Sequence, residues 1–127
     1  MKVLDLVYLG AGALLGAFIR YKITGNDISL NGLPLSVLIV NLIGSLILGF
    51  SMEGIQRFGL DQRYVIFIGI GFCGSLTTMS SFAYETSNLV DAGKLVIAGL
   101  DVLLNVGVSI LAIFAGRAVM LLIWGVV

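Results

Sequence analysis

The chain has no histidine, a single cysteine (Cys73) and a single proline (Pro34), and only 11% of its 127 residues are charged. Each scarcity excludes something. Without histidine, the usual general base and the usual imidazole metal ligand are both missing. One cysteine forbids an intramolecular disulfide, and no second cysteine or histidine exists to complete a zinc site. Charge is balanced as well as scarce, seven Lys and Arg against seven Asp and Glu. Nothing therefore points to nucleic acid, and no basic run is long enough for a lipid-headgroup patch.

What fills the chain instead is apolar. Hydrophobic residues make up 59% of the sequence and mean hydropathy is +1.13, whereas soluble domains carry about a quarter charged residues. The expectation is an all-α, multi-pass membrane protein with one domain over 1–127. A bilayer core takes about 20 apolar residues per helix. Four stretches qualify, near 3–21, 34–54, 64–89 and 95–124. The first is too long for a signal h-region and lacks a small-x-small cleavage site, so it reads as a retained helix.

Between the spans lie "TGNDISLNG", with turn-forming Asn26-Asp27 and Asn31-Gly32, then "EGIQRFGLDQR" and "VDAGK". Pro34 reads as opening the second helix, where its missing N–H costs nothing. The third and fourth spans exceed what a plain crossing requires, which implies tilt, a break or extension beyond the core. Small residues recur at helical spacing: Gly12 and Gly16, Ser45 and Gly49, and Gly107, Ala112 and Gly116 on the fourth span. Such residues let helix backbones approach closely in lipid.

Four spans put both termini on one side. That side receives Lys2, Arg57 and Arg63, with Arg117 at its edge; the other receives Arg20, Lys22 and Lys94. Lys and Arg normally mark the cytoplasmic loops, and here they give no bias. Either other signals resolve the topology, or copies insert both ways and pair antiparallel with inverted-repeat geometry. Four helices leave little room for an aqueous path, so transport would call for an oligomer.

Polar groups at membrane depth default to functional hypotheses. Asn41 sits in "LIVNLIGSL", with Ser45 one turn on. It reads either as a helix–helix hydrogen bond or as a donor to a dehydrated anion. The third span contains "GFCGSLTTMSSF" (71–82). Gly69, Gly71 and Gly74 with Thr77 and Thr78 weaken a helix, since glycine costs about 1 kcal/mol against alanine. A break there frees carbonyls, which suit cations, and exposes a half-helix N-terminus, which suits anions. Beyond it, Thr78, Ser81, Glu85 and Asn88 share one face, with Met79 and Phe82 beside them. That stripe reads as a pore wall, or as a packed seam whose hydroxyls bond back to carbonyls. Arg20 either snorkels to the headgroups or reaches inward. Ser109 is a further hydroxyl on the fourth span. No acidic ring suggests a cation filter, and amide, hydroxyl and ring-edge donors lean towards a small hard anion.

These residues resemble the Fluc (CrcB-type) fluoride channel family. The matching pieces are "GALLGAFIRY" (12–21), "PLSVLIVNLIGSLILG" (34–49) and "GFCGSLTTMSSFAYE" (71–85), in order on three of four helices. The resemblance implies a dual-topology antiparallel homodimer with the third helix broken near its centre. It also implies two pores that pass fluoride out of the cell across the cell membrane. It puts the pore asparagine at Asn41, a hydroxyl track at Ser80 and Ser81, then Glu85 and the fourth-helix Ser109, and the first-helix arginine at Arg20. A structural Na+ would be held by backbone carbonyls of Gly74 and Thr77 at the dimer interface. The family's paired phenylalanines fall on Met79 and Phe82, so one aromatic edge is replaced by methionine. Ala83 likewise stands where a hydroxyl is common. That departure opens a second possibility, a heterodimer with a paralogue.

Two other classes compete. A dual-topology proton-coupled small-molecule exporter needs a carboxylate in its first helix, and residues 6–19 contain none. A non-conducting structural subunit would not need the polar stripe or the broken third helix. Nothing suggests an enzyme.

Overall fold

The structure is a computed structural model and describes residues 2–125. It contains four helical spans long and apolar enough to cross a membrane: Val3–Thr24, Ser36–Phe58, Gln62–Asp91 and Leu95–Ile123. We label them α1 (Val3–Thr24), α2 (Ser36–Phe58), α3 (residues 62–76) and α4 (Met79–Asp91), which together form the third span, and α5 (Leu95–Ile123).

α1 begins where the Lys2 N–H donates to the Asp5 carboxylate at 2.9 Å, placing an acid at the positive end of the helix. It runs two residues past the charged Arg20–Lys22 boundary, to Thr24. The Thr24 hydroxyl and the Asn26 side-chain amide donate to the carbonyls of Arg20 and Lys22 at 2.9 and 2.7 Å. The Lys22 carbonyl, which the last turn would leave unpaired, is thus satisfied locally.

Pro34 does not open the second helix. Residues Ser29–Leu30 (β1) pair antiparallel with Leu33–Pro34 (β2), turning through Asn31 at φ 52° and Gly32 at φ 85°. Positive φ at both central residues is what a tight two-residue hairpin requires. The Leu35 N–H is committed to the Ile28 carbonyl at 2.8 Å. The Ser36 hydroxyl accepts from the Ile28 N–H and donates to the Asn26 carbonyl. The helix therefore starts at Ser36, and the proline serves the hairpin.

Two close seams hold the bundle. α1 lies along α3, and α2 along the second half of α5. A Cβ at Gly12 or Gly16 would run into the carbonyls of Phe67 and Phe72, and one at Gly49 or Gly116 into those of Ile113 and Leu46. These four small residues therefore set the helix separations, as close packing in lipid demands. Gly107 meets nothing within 4 Å and is outside the seams. The most enclosed large side chains are Leu76, Val37, Val40, Asp101 and Cys73. Large apolar side chains of α1 such as Val7, Leu14 and Phe18 point outward.

The third span is broken, but in a narrower place than its glycines suggest. Val65–Cys73 stays helical with the wider π winding, and Gly74–Leu76 continues as α-helix. Only Thr77 (φ −77°, ψ 154°) and Thr78 (φ −150°, ψ 110°) are extended. Gly71 works in packing instead, with its Cα against α1 at Leu9, Gly12 and Ala13.

Candidate functional site

The break is held open by a side chain from another helix. The Thr78 N–H donates to Asn41 Oδ1 at 2.8 Å, and Asn41 Nδ2 reaches the Thr78 carbonyl at 3.5 Å. Asn41 thus takes the place of the missing turn of helix. The consequence for the backbone follows directly. The Gly74 carbonyl would normally accept from the Thr78 N–H, which has turned to Asn41. The Thr77 carbonyl would accept from the Ser81 N–H, which instead donates to Thr78 Oγ1 at 3.2 Å. Both carbonyls lose their helical partners at membrane depth. Thr78 is the N-cap of α4, so the N–H groups of Met79 and Ser80 begin the helix without intrahelical acceptors. The same residues leave oxygens on one side of the break and donors on the other.

Most of the residues singled out from the sequence fall into two recesses. A cavity of about 390 Å³ is lined by Asn41, Ser45, Gly74, Thr77, Met79 and Ser109, among others. It opens on the bundle surface, where Met79 is 71% exposed. A second recess of about 400 Å³ is lined by Ser80, Ser81 and Glu85 with Thr24, Val37 and Tyr84. Thr78 stands at the junction, its hydroxyl 3.0 Å from Ser81 Oγ and 3.3 Å from Ser80 Oγ. Each recess contains one buried polar atom with no partner among the described residues, Ser109 Oγ in the first and Glu85 Oε2 in the second. Buried polar atoms are almost always paired, which singles out these two among the polar groups of the recesses. Phe82 is buried and lines neither recess. Arg20 is half-buried in the last turns of α1, and Asn88 is exposed.

Three residues of the site are absent from the sequence-derived assignments: Thr86, Asp101 and, as a partner of Asn41, Asn105. Asn41 Nδ2 donates to Asn105 Oδ1 at 3.0 Å. Asn105 Nδ2 donates to the Asp101 side chain at 2.9 Å and to its carbonyl at 3.2 Å. The Thr86 hydroxyl donates to the other Asp101 carboxylate oxygen at 2.6 Å. An unbroken chain of hydrogen bonds therefore runs from the break in the third span, through α2, to α5 and back to α4. One signal for it is legible in sequence: Asp101, Asn105 and Ser109 are spaced four apart, on one helix face.

Among the described residues no group of three His, Cys, Asp or Glu side chains is placed to hold a metal. The oxygens available for a cation at the break are backbone carbonyls.

Comparison with known proteins agrees with this architecture. The family described as CrcB-like protein, Camphor Resistance (CrcB), matches residues 7–117. A fluoride-specific ion channel FluC of Nitrosopumilus maritimus is 50% identical over 120 residues, covering 94% of this chain and 95% of that one. The FluC proteins of Methanocaldococcus jannaschii and Pyrococcus abyssi are 44% and 41% identical, over 94% and 91% of this chain and 97% and 94% of their own. With the match spanning all four helices, the chain belongs to the CrcB-like family of multi-pass membrane proteins.

Proposed function

We propose that this protein is a fluoride-selective channel that lets fluoride leave the cell passively, relieving fluoride toxicity. The observation that carries the reading is the Asn41-held break, which opens onto a largely apolar cavity into which Asn41, Ser45 and Ser109 bring a few polar groups. One Asn41 N–H is held by Asn105, while the other reaches only a 3.5 Å contact with the Thr78 carbonyl, the outer limit of a hydrogen bond. That loosely held donor, the unpartnered Ser109 hydroxyl and the first N–H groups of α4 can replace water around a small anion. Ser80, Ser81 and Glu85 continue the polar path into the second recess. Relatives named fluoride-specific channels supply the identity of the anion.

The working unit is a pair of chains. Non-helical backbone at membrane depth is tolerated only where protein buries it or it lines a water-filled cavity. In the single chain, the break sits beside an open face carrying the exposed Gly74, Met79 and Ile110. A second copy, inserted in the opposite sense, covers that face and completes two pores. The balanced loop charges permit both insertions.

The Gly74 and Thr77 carbonyls fit the sodium ion expected at this interface. Each chain offers two hard, neutral oxygens released from helical bonding, the donor type that unwound backbone presents to Na+. When bound, the ion supplies a fixed positive charge beside the break. Met79 leaves room for a second reading, in which the covering chain is a paralogue that brings the missing aromatic edge.

Purified protein in liposomes tests the proposal. The wild-type chain should release trapped fluoride, and Asn41→Asp, which faces an anion with a carboxylate, should not. Unchanged efflux in Asn41→Asp removes Asn41 from the path. Efflux that appears only when a paralogue is added favours the heterodimer.

A further inference from the structure

Asp101 is the most enclosed titratable side chain in the described part of the molecule, 1% exposed on a membrane-spanning helix. It lines neither recess. A carboxylate at such depth is costly and is retained where it has partners. Each of its oxygens accepts a hydrogen bond: one takes the Thr86 hydroxyl at 2.6 Å, within the range of a charge-assisted bond, and the other takes Asn105 Nδ2 at 2.9 Å.

We infer that Asp101 is a positioning residue which, through Asn105, sets the direction in which the Asn41 amide faces the cavity. The inference rests on the reading of Asn41 as a pore residue. The reasoning uses donor and acceptor count alone. A carboxylate accepts, whereas a side-chain amide has one accepting and one donating end. Both Asn105 N–H groups are committed to Asp101, one to its side chain and one to its carbonyl. Asn105 therefore offers the cavity only its oxygen, and that oxygen binds one Asn41 N–H. Asn41 in turn must point its own oxygen at the Thr78 N–H, which leaves its second N–H as the loosely held donor, with only the 3.5 Å contact to the Thr78 carbonyl. Without an acceptor at position 101, Asn105 is held by a single carbonyl contact at 3.2 Å. Its amide can then turn over and present N–H to N–H against Asn41. The same carboxylate ties α4 to α5 through Thr86, so the break and the polar path move as one unit.

Asparagine at 101 separates orientation from charge. Its oxygen can still accept from Asn105, and its amide can donate to the Thr86 oxygen. The Thr86 proton then passes to the Phe82 carbonyl, already 3.0 Å away. The experiment compares wild type, Asp101→Asn and Asp101→Ala in fluoride efflux, and follows the side-chain amides of 15N-asparagine-labelled protein by NMR. Losing the outer partner of a metal ligand typically costs 10- to 100-fold; on that scale Asp101→Ala should lose about tenfold in efflux and Asp101→Asn less than about threefold. In Asp101→Ala the Asn41 and Asn105 amide signals should shift or double; in Asp101→Asn they should stay single. In the wild type, added fluoride should move the Asn41 amide and leave that of Asn105 in place.

Asp101→Asn as damaged as Asp101→Ala overturns the inference, because charge would then matter and orientation would not. An Asn105 amide that responds to fluoride as strongly as Asn41 overturns it too, and needs no variant to fold. A well-folded wild type silent in efflux both alone and with a paralogue would sink the fluoride reading itself, while amide signals unmoved in Asp101→Ala would sink only the role of Asp101.

Discussion

Residues 62–76 and Met79–Asp91 are two halves of one membrane span, yet they are built from different materials. The first half is apolar and glycine-bearing, wound partly as π-helix, and pressed against α1 so closely that Gly12, Gly16 and Gly71 have no room for a side chain. The second half carries Ser80, Ser81, Glu85, Thr86 and Asn88, and meets mainly the beginning of α5. Between them, two extended threonines are fastened to α2 through Asn41. The first half is a fixed wall whose position is set by backbone contact. The second is a polar surface whose position is set by hydrogen bonds. A channel needs both, since donors hold an ion in a defined place only if the element behind them does not shift.

That contrast can be broken from either side. The largest effect is expected in the wall. A methyl at Gly16 meets the Phe72 carbonyl and the Leu76 N–H, whereas one at Gly10, on the same helix, meets nothing within 4 Å. Gly16→Ala should therefore destabilise the protein by about 1–3 kcal/mol, the usual cost of overpacking. Gly10→Ala should be neutral or gain up to about 1 kcal/mol in helix propensity. Thermal unfolding in detergent with size-exclusion profiles would decide, and equal behaviour of the two would mean that the seam is looser than the structure shows. A smaller effect is expected on the polar side. Thr78→Val removes the hydroxyl that caps α4 while leaving the Thr78 N–H on Asn41. Loss of such a cap costs about 1 kcal/mol, and slower fluoride efflux should accompany a slightly lower melting temperature. Efflux at the wild-type rate would show that the threonine hydroxyl is dispensable to the path.

How much of this is legible in the sequence follows from the range of the deciding contact. The four spans are written in local hydropathy, and the Gly12/Gly16 and Ser45/Gly49 seams in four-residue spacing. A break in the third span is also visible, because glycines and hydroxyls weaken a helix locally. Its exact residues are not, because Asn41, 37 positions away in the chain, chooses Thr78. Pro34 misleads for the same reason: the helix start depends on Ser36 reaching back to Asn26 and Ile28 across the hairpin. Asp101 reads as a lone acid in an apolar run until its partners Thr86 and Asn105 are placed around it. The site residues named from the sequence are brought together in part. Asn41, Met79 and Ser109 share one recess, and Ser80, Ser81 and Glu85 share the other.

The central claim is passive, selective movement of fluoride through this polar break, and ion release from liposomes containing only this chain measures it most directly. With the membrane potential clamped and no proton gradient imposed, fluoride should leave rapidly while chloride stays trapped. Chloride released as fast as fluoride, or fluoride released only when a proton gradient is applied, would contradict the account.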